Sequence, residues 1–324
     1  MTKLRWGILG CARVARWQVG PAFREAGLGT LRAIAGRDPT RARECARELR
    51  IPVAHESYRA LLDDPEVDAV YIPLVNDLHH RWTLEAADAG KHVLCEKPFA
   101  LDAGQAREMA GRCRSRGLVV REGFMWRHQP RVREVLRLVR SGAIGELRLI
   151  RASFSFPLGD DPWRLDPGHG GGALSDVGSY GVNAARLFAG GEPVEVRSLA
   201  TFGPTGVDLS LAAELRFPGG VLAVVDASYE QPLRNSIELV GRLGSIDIPD
   251  AFVPPGRPVA YLNVDGRRRK IRSGRANPYA AMLDDFARAV DARGADDPTL
   301  DDPEAQMAAL DAIRAGFGMT WPRT

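Results

Sequence analysis

Short apolar runs that alternate with helical segments constrain the first third of this chain more than any other feature. Residues 4–9 form an apolar run that stops at Gly10, and 12–26 follows with helical spacing. Segments 31–35, 67–72, 92–95 and 118–121 read as further buried strands. Between them a helix over 39–49 starts after Asp38, 79–89 keeps a helical period, and Asp102 caps a helix reaching Arg116. Alternation of this kind builds an α/β domain, a doubly wound parallel sheet of the Rossmann type with helices on both faces.

Near residue 125 the pattern changes. A helix over 130–141 and a strand over 147–156 lead into a Gly/Pro/Asp-rich loop at 157–172, then a short helix near 175–189. Strand-like segments follow at 194–201, 209–217, 221–229, 235–240, 245–248 and 259–263, joined by turns such as Pro218-Gly219-Gly220 and Asp265-Gly266. Hairpin connections imply a second, α+β domain with a mostly antiparallel open sheet. Two helices, 279–292 and 303–315, close the chain, the second after Asp302-Pro303. The expected division is a dinucleotide-binding domain over 1–123 and a substrate-binding and oligomerisation domain over 124–324, whose last helices can pack back on the first domain. In 209–217 and 221–229 apolar residues fall on both faces, with Leu211, Ala213, Leu215 and Phe217 on one side. A sheet apolar on both sides needs two covers, so a homodimer or homotetramer through this sheet is expected.

Composition excludes several function classes. A length of 324 residues suits two domains, and a formal charge of +3 offers no broad basic face for nucleic acid. The densest basic run, 267–270, follows a hairpin signal and reads as a charged strand edge. Cys11, Cys45, Cys95 and Cys113 show no C-x-x-C spacing and the six histidines no ligand cluster, so reduced thiols and no metal are expected. Met1 runs directly into an apolar strand without a signal-peptide pattern or a spanning segment; the expectation is a cytoplasmic protein with no membrane contact.

The loop after the first strand, "GILGCARVA", carries Gly10, Ala12 and Ala15 where a dinucleotide fingerprint has three glycines. Only the first position strictly needs a glycine conformation, and a single methyl at each of the others leaves the helix N-terminus open to an anion. The second strand ends in Gly36-Arg37, with Arg41 and Arg43 nearby. A guanidinium there takes a 2′-phosphate, which favours NADP, while Asp38 leaves NAD open.

Two further stretches carry chemistry. Of 44 basic residues only Lys3, Lys91, Lys97 and Lys270 are lysine, and Lys97 sits in Glu96-Lys97-Pro98 at the end of a predicted parallel strand. In "GGGALSDVGSYGVN", Asp176, Tyr180 and Asn183 share one face at helical spacing.

Residues 7–15, "EKP" at 96–98 and "DVGSY" at 176–180, in that order, resemble the glucose–fructose oxidoreductase/inositol dehydrogenase (Gfo/Idh/MocA) family. "NDLHH" at 76–80, "EGFMWRHQP" at 122–130 and "WRLDPGHGGGAL" at 163–174 resemble the branch of NADP-dependent xylose dehydrogenases, dihydrodiol dehydrogenases and keto-sugar reductases. The resemblance implies hydride transfer between nicotinamide C4 and a hydroxyl-bearing or keto carbon of a sugar or related polyol. It implies cofactor contacts from Gly10, Cys11, Ala12, Arg13, Val14, Gly36, Arg37, Leu74, Asn76, His79, Glu96, Lys97, Trp163 and Arg164. Substrate contacts are implied for Lys97, Phe124, Trp126, Arg127, Asp176, Tyr180 and Asn183, with specificity set in 124–128, 157–172 and 230–257.

Tyr180 stands where the inositol-type branch has His, and Asn183 where it has Asp. A phenol starts near ~10, and an ammonium within ~4–6 Å stabilises its phenolate. The expected catalytic set is therefore Tyr180 exchanging the hydroxyl proton, Lys97 assisting it or carrying the proton itself, and Asp176 orienting the substrate. A sugar sensor without turnover, and an oxidoreductase with tightly retained NADP, are the alternative readings.

Overall fold

The structure is a computed structural model that describes residues 3–254, 258–292 and 302–318. Two compact units make up the chain: Met1–His128 with Ala276–Glu304, and Gln129–Arg275 with Ala305–Thr324.

In the first unit six strands, β1 (Leu4–Leu9), β2 (Gly29–Ala35), β3 (Val53–His55), β4 (Ala69–Ile72), β5 (His92–Cys95) and β6 (Val120–Glu122), form one sheet in the order β3-β2-β1-β4-β5-β6. All of its pairs are parallel. Its helices are α1 (Gly20–Ala22), α2 (Pro39–Leu49), α3 (Tyr58–Leu62), α4 (Asn76–Asp88) and α5 (Ala103–Ser115). The strand order reverses between β1 and β4, which opens a crevice at the carboxyl ends of those strands. Caps account for the sharpest helix starts. Asp38 accepts from Thr40 N at 2.8 Å, Ser57 from Ala60 N at 3.1 Å and Asp102 from Gln105 N at 2.8 Å.

The second unit holds α6 (Pro130–Arg140), β7 (Leu147–Ser155), α7 (Ser179–Ala189), β8 (Glu195–Phe202), β9 (Asp208–Arg216), β10 (Leu222–Ser228), β11 (Arg234–Gly241), β12 (Gly244–Pro249), β13 (Ala260–Val264) and β14 (Arg267–Ile271). The eight strands run β14-β13-β12-β11-β7-β10-β9-β8, antiparallel except for β7 with β10. Helix α7 covers one face closely: a Cβ on Gly181 would come 2.6 Å from Val225, so only glycine fits there. The opposite face exposes Leu199, Leu222 and Val224 between ion pairs such as Arg216–Glu195. The basic run Arg267–Lys270 lies exposed on the edge strand β14, where its charges oppose pairing with another sheet.

Helix α8 (Pro278–Asp291) belongs to the first unit, and most of α9 (Pro303–Gly316) to the second. Phe286 of α8 lies 4.9 Å from the ring of fully buried Trp6, and Asp284 accepts from Gly27 N and Leu28 N.

Under the sheet, Asp68 accepts from the backbone and side chain of Arg5 at 2.9 Å and 2.7 Å. Burial alone would raise its pKa, but these bonds override burial and hold it below the usual carboxylate range. A carboxylate depressed in the folded state adds stability above its unfolded pKa and loses it as pH falls through the folded value. Asp68→Asn should therefore lower the denaturation midpoint at pH 7, and the gap to wild type should close below about pH 4.

Candidate active site

At the carboxyl end of β1 the chain turns at Gly10, whose φ of +122° lies where side chains rarely go. A Cβ there would also stand 2.9 Å from Leu74 Cδ2. The loop thus keeps its floor bare, and Ala12 and Val14 lead into a π-helical turn, Ala15–Val19. A bare turn running into a helix start is the cradle that a pyrophosphate needs, so the residues present fit a dinucleotide. Cys11 is half-buried; burial and the neighbouring Cys45 thiol push its pKa up to about 12, so it sits in the loop as a neutral group.

Gly36, Arg37 and Asp38 follow the end of β2. Gly36 is buried, and a Cβ on it would press on Cys11 Sγ at 3.2 Å and Asp38 O at 3.3 Å. Asp38 turns its carboxylate to Thr40 N as the cap of α2, while Arg13, Arg37 and Arg41 are exposed. Tyr58, which sequence reasoning missed, places its hydroxyl 3.9 Å from the position of a Gly10 Cβ, and its ring meets Trp82 edge-on at 4.8 Å.

The turn after β5 contains a cis Lys97–Pro98 bond. Three side chains fix it. Tyr71 donates to Glu96 Oε1 at 2.6 Å, Glu122 Oε1 accepts from Phe99 N at 2.8 Å, and His79 meets Pro98 O at 2.8 Å. Glu96 Oε2 also accepts from Lys97 N at 3.2 Å, and Lys97 is half-buried. Tyr71 and Glu122 were invisible in the sequence because each lies a strand away from the turn it holds.

His79, Asn76, Phe124 and Trp126 are all buried. His79 is fully buried with its second ring nitrogen 3.0 Å from Leu74 O, so as a neutral imidazole its one N–H donates to one of the two carbonyls, Pro98 O or Leu74 O. Burial pushes its pKa down. Asn76 opens α4 and is 4 % exposed. Phe124 and Trp126 have no exposed surface, and Phe124 backs a cavity of about 10 Å³ shared with Arg127 and His128. That volume holds about one water. Lys91, another scarce lysine, donates to Asp64 O and Val67 O at 2.7 Å each, a structural tie.

The second unit carries its own polar cluster. Asp176 lies in the π-helical turn Leu174–Gly178 and is 7 % exposed; its Oδ2 accepts from Arg164 Nε at 2.7 Å and from Tyr229 at 3.2 Å. Arg164 also pairs with Asp161 and lies 4.5 Å over Trp163. Burial opposes the Arg164 charge, but Asp176 and Asp161 raise its pKa and keep it protonated. Burial and the Asp176 charge push the Tyr229 phenol well up, so it stays a donor. Tyr180 is 8 % exposed, its ring 5.4 Å from Phe154 and 5.3 Å from Phe252.

Asp176 lies in the π turn, which takes more residues per turn than an α turn, while Tyr180 and Asn183 lie on α7. Asn183 is fully buried and donates to Gln306 at 3.4 Å, inside a network with Arg186. From β9, Asp208 accepts from Leu174 N at 2.6 Å and anchors the start of the π turn. Of the 230–257 segment expected to set specificity, 255–257 lie outside the described residues. Among the described residues no group of three or more His, Cys, Asp and Glu stands together as a metal site.

Both halves of this arrangement match one family. Residues 4–124 match the oxidoreductase family with an NAD-binding Rossmann fold, and 132–247 match the GFO/IDH/MocA C-terminal domain. The chain belongs to the Gfo/Idh/MocA oxidoreductase family. It is 36% identical over 316 residues to D-xylose 1-dehydrogenase (NADP⁺) 2 of Haloferax volcanii, covering 96% of each chain. It is 32% identical over 269 residues to the mouse (Mus musculus) trans-1,2-dihydrobenzene-1,2-diol dehydrogenase, covering 82% of this chain and 79% of that one. A solved 3-ketoreductase from Actinomadura kijaniata, in complex with NADP and TDP-benzene, superimposes with a TM-score of 0.90 at 33% identity over 98% of each chain. Like other Gfo/Idh/MocA members, this chain is an NAD(P)-dependent oxidoreductase. No described helix is long and apolar enough to cross a membrane.

Proposed function

We propose that this chain is an NADP-preferring dehydrogenase or reductase acting on a carbinol or keto carbon of a sugar or related polyol. The observation that carries the cofactor preference is the exposed guanidinium of Arg37 at the end of β2, with exposed Arg13 and Arg41 nearby, a charge that suits a 2′-phosphate. Gly10, Ala12 and the helix start after them hold the pyrophosphate, and Arg37 meets the 2′-phosphate. The bound nicotinamide supplies a hydride acceptor or donor at C4. Arg37→Ala should weaken NADP binding ~10-fold or more and leave NAD within ~2-fold, as read by quenching of protein fluorescence. Equal losses for both nucleotides would remove the 2′-phosphate role.

The xylose and diol dehydrogenases and the sugar 3-ketoreductase among the relatives support a polyol substrate. In this reading Tyr180 exchanges the hydroxyl proton and Lys97 donates to the reacting oxygen. A neutral phenol is already a competent donor for ketone reduction, and an ammonium favours phenolate for the reverse direction. Asp176, held by Arg164 and Tyr229, orients a substrate hydroxyl. An aldose and 1,2-diol panel headed by D-xylose, followed as nicotinamide absorbance, tests the activity.

The exposed Leu199, Leu222 and Val224 on the outer face of the second sheet support a homodimer or homotetramer built there. Sedimentation of the wild type above one chain, and of a Leu199→Asp, Val224→Arg double variant as one chain, is the outcome expected. Free cysteines among the described residues, three of them buried, support a reducing, cytoplasmic setting.

A further inference from the structure

Arg131 is a charge in an unusual place. It is 1 % exposed at the start of α6, and all five of its N–H donors are used. Nη1 donates to Pro249 O and Val259 O at 2.8 Å each, and Nη2 to Asp250 O at 2.6 Å and Ala251 O at 2.9 Å. Nε donates to Gln129 Oε1 at 3.0 Å, and the Gln129 amide reaches Phe252 O at 3.3 Å. Asn235 completes the frame, accepting from Phe252 N at 2.8 Å and donating to Val253 O at 3.2 Å.

Burying a guanidinium this deeply is costly, and burial pushes its pKa down to about 10. An apolar residue would fill the same volume without that cost. What the fork adds is geometry: one rigid planar group collects three carbonyls from the stretch that leaves β12 through Asp250 at φ +46°, and a fourth, Val259 O, from just before β13. The stretch ends in Phe252, which is fully buried, stacked on Phe154 at 5.4 Å and 19°, and 5.3 Å from the Tyr180 ring. Phe154 meets the same ring edge-on at 5.4 Å. The phenol is therefore gripped by two aromatic rings, one on a strand and one on the segment after β12, which Arg131, Gln129 and Asn235 hold.

We propose that Arg131 is a positioning residue for Tyr180: it fixes the backbone of 249–252, which fixes Phe252, which with Phe154 fixes the phenol for proton exchange. The proposal rests on Tyr180 being the proton-exchanging group. It acts through orientation, since proton transfer tolerates little displacement of the donor.

The test uses the full chain with the variants Arg131→Met, Arg131→Lys, Phe252→Leu, Tyr180→Phe and the Arg131→Met, Phe252→Leu double. In NADP-coupled turnover of the best substrate from the polyol panel, Arg131→Met and Phe252→Leu should each lower kcat ~10-fold per folded site. NADP Kd should stay within ~2-fold, and the double should fall no further than the worse single, because both act through one ring. Should Arg131→Met fail to fold, Arg131→Lys, which keeps the charge and loses the fork, takes its place with a smaller loss. Independently of turnover, fluorine NMR of chain labelled with 3-fluorotyrosine gives one Tyr180 line, assigned by its loss in Tyr180→Phe. That line should broaden or split in Arg131→Met and Phe252→Leu. Additive losses, or an unchanged line beside a merely lowered Tm, would overturn the positioning role. Near-normal kcat in Tyr180→Phe would instead sink the reading of Tyr180 itself; inactive Tyr180→Phe beside unimpaired Phe252→Leu sinks only the inference drawn from Arg131.

Discussion

Lys97→Met and Tyr180→Phe are each expected to cut kcat by ~10²-fold or more while the protein still binds NADP. The expectation follows from how each side chain is held. Lys97 projects from a turn fixed by Tyr71, Glu122 and His79, so its removal leaves the turn's own bonds intact. Tyr180→Phe keeps the ring that packs on Phe154 and Phe252 and deletes only the hydroxyl. Both changes therefore keep the turn's bonds and the ring packing and remove the groups assigned to proton movement. Fluorescence titration with NADP checks binding, and initial rates at saturating substrate give kcat. Near-normal rates in both variants would remove the proton-transfer assignment.

Gly172→Ala should destabilise the protein by about 3 kcal/mol, lowering Tm by on the order of 5 °C. Gly172 has φ +114°, and a Cβ there would come within van der Waals overlap of the Asp208 carboxylate. Left-handed backbone costs an alanine about 1–2 kcal/mol. Displacing Asp208 would also strip Leu174 N of its acceptor inside the protein, a further ~1–3 kcal/mol. Because Asp208 anchors the turn that carries Asp176, a rise in KM is expected together with the lower Tm. A variant with wild-type Tm would mean that the Gly172 backbone relaxes without strain.

Local chemistry was legible in the sequence where it is self-contained. Asp38-Pro39 and Asp102 marked the starts of α2 and α5 because a cap bonds within its own first turn. β3 and α3 escaped notice, since three residues of strand and five of helix carry no measurable period. The family motifs pointed to Lys97, Asp176 and Tyr180, while the π turn that carries Asp176 leaves no mark in residue spacing. Tyr229, Tyr71, Glu122 and Arg131 act on groups 23 to more than 100 positions away, and one sequence does not pair such residues. The scarcity of lysine raised Lys97 and Lys91 alike, and only coordinates separate an ammonium that ties carbonyls from one placed at a strand end.

The threading of the polypeptide sets a limit on dissection. Trp6, at the heart of the parallel sheet, rests on Phe286, and the amides of Gly27 and Leu28 are closed by Asp284, so a fragment stopped at residue 128 would leave an indole and two backbone donors facing water. Anyone wishing to express the nucleotide half by itself should graft Ala276–Glu304 onto its end through a short linker, and expect the simple truncation to precipitate.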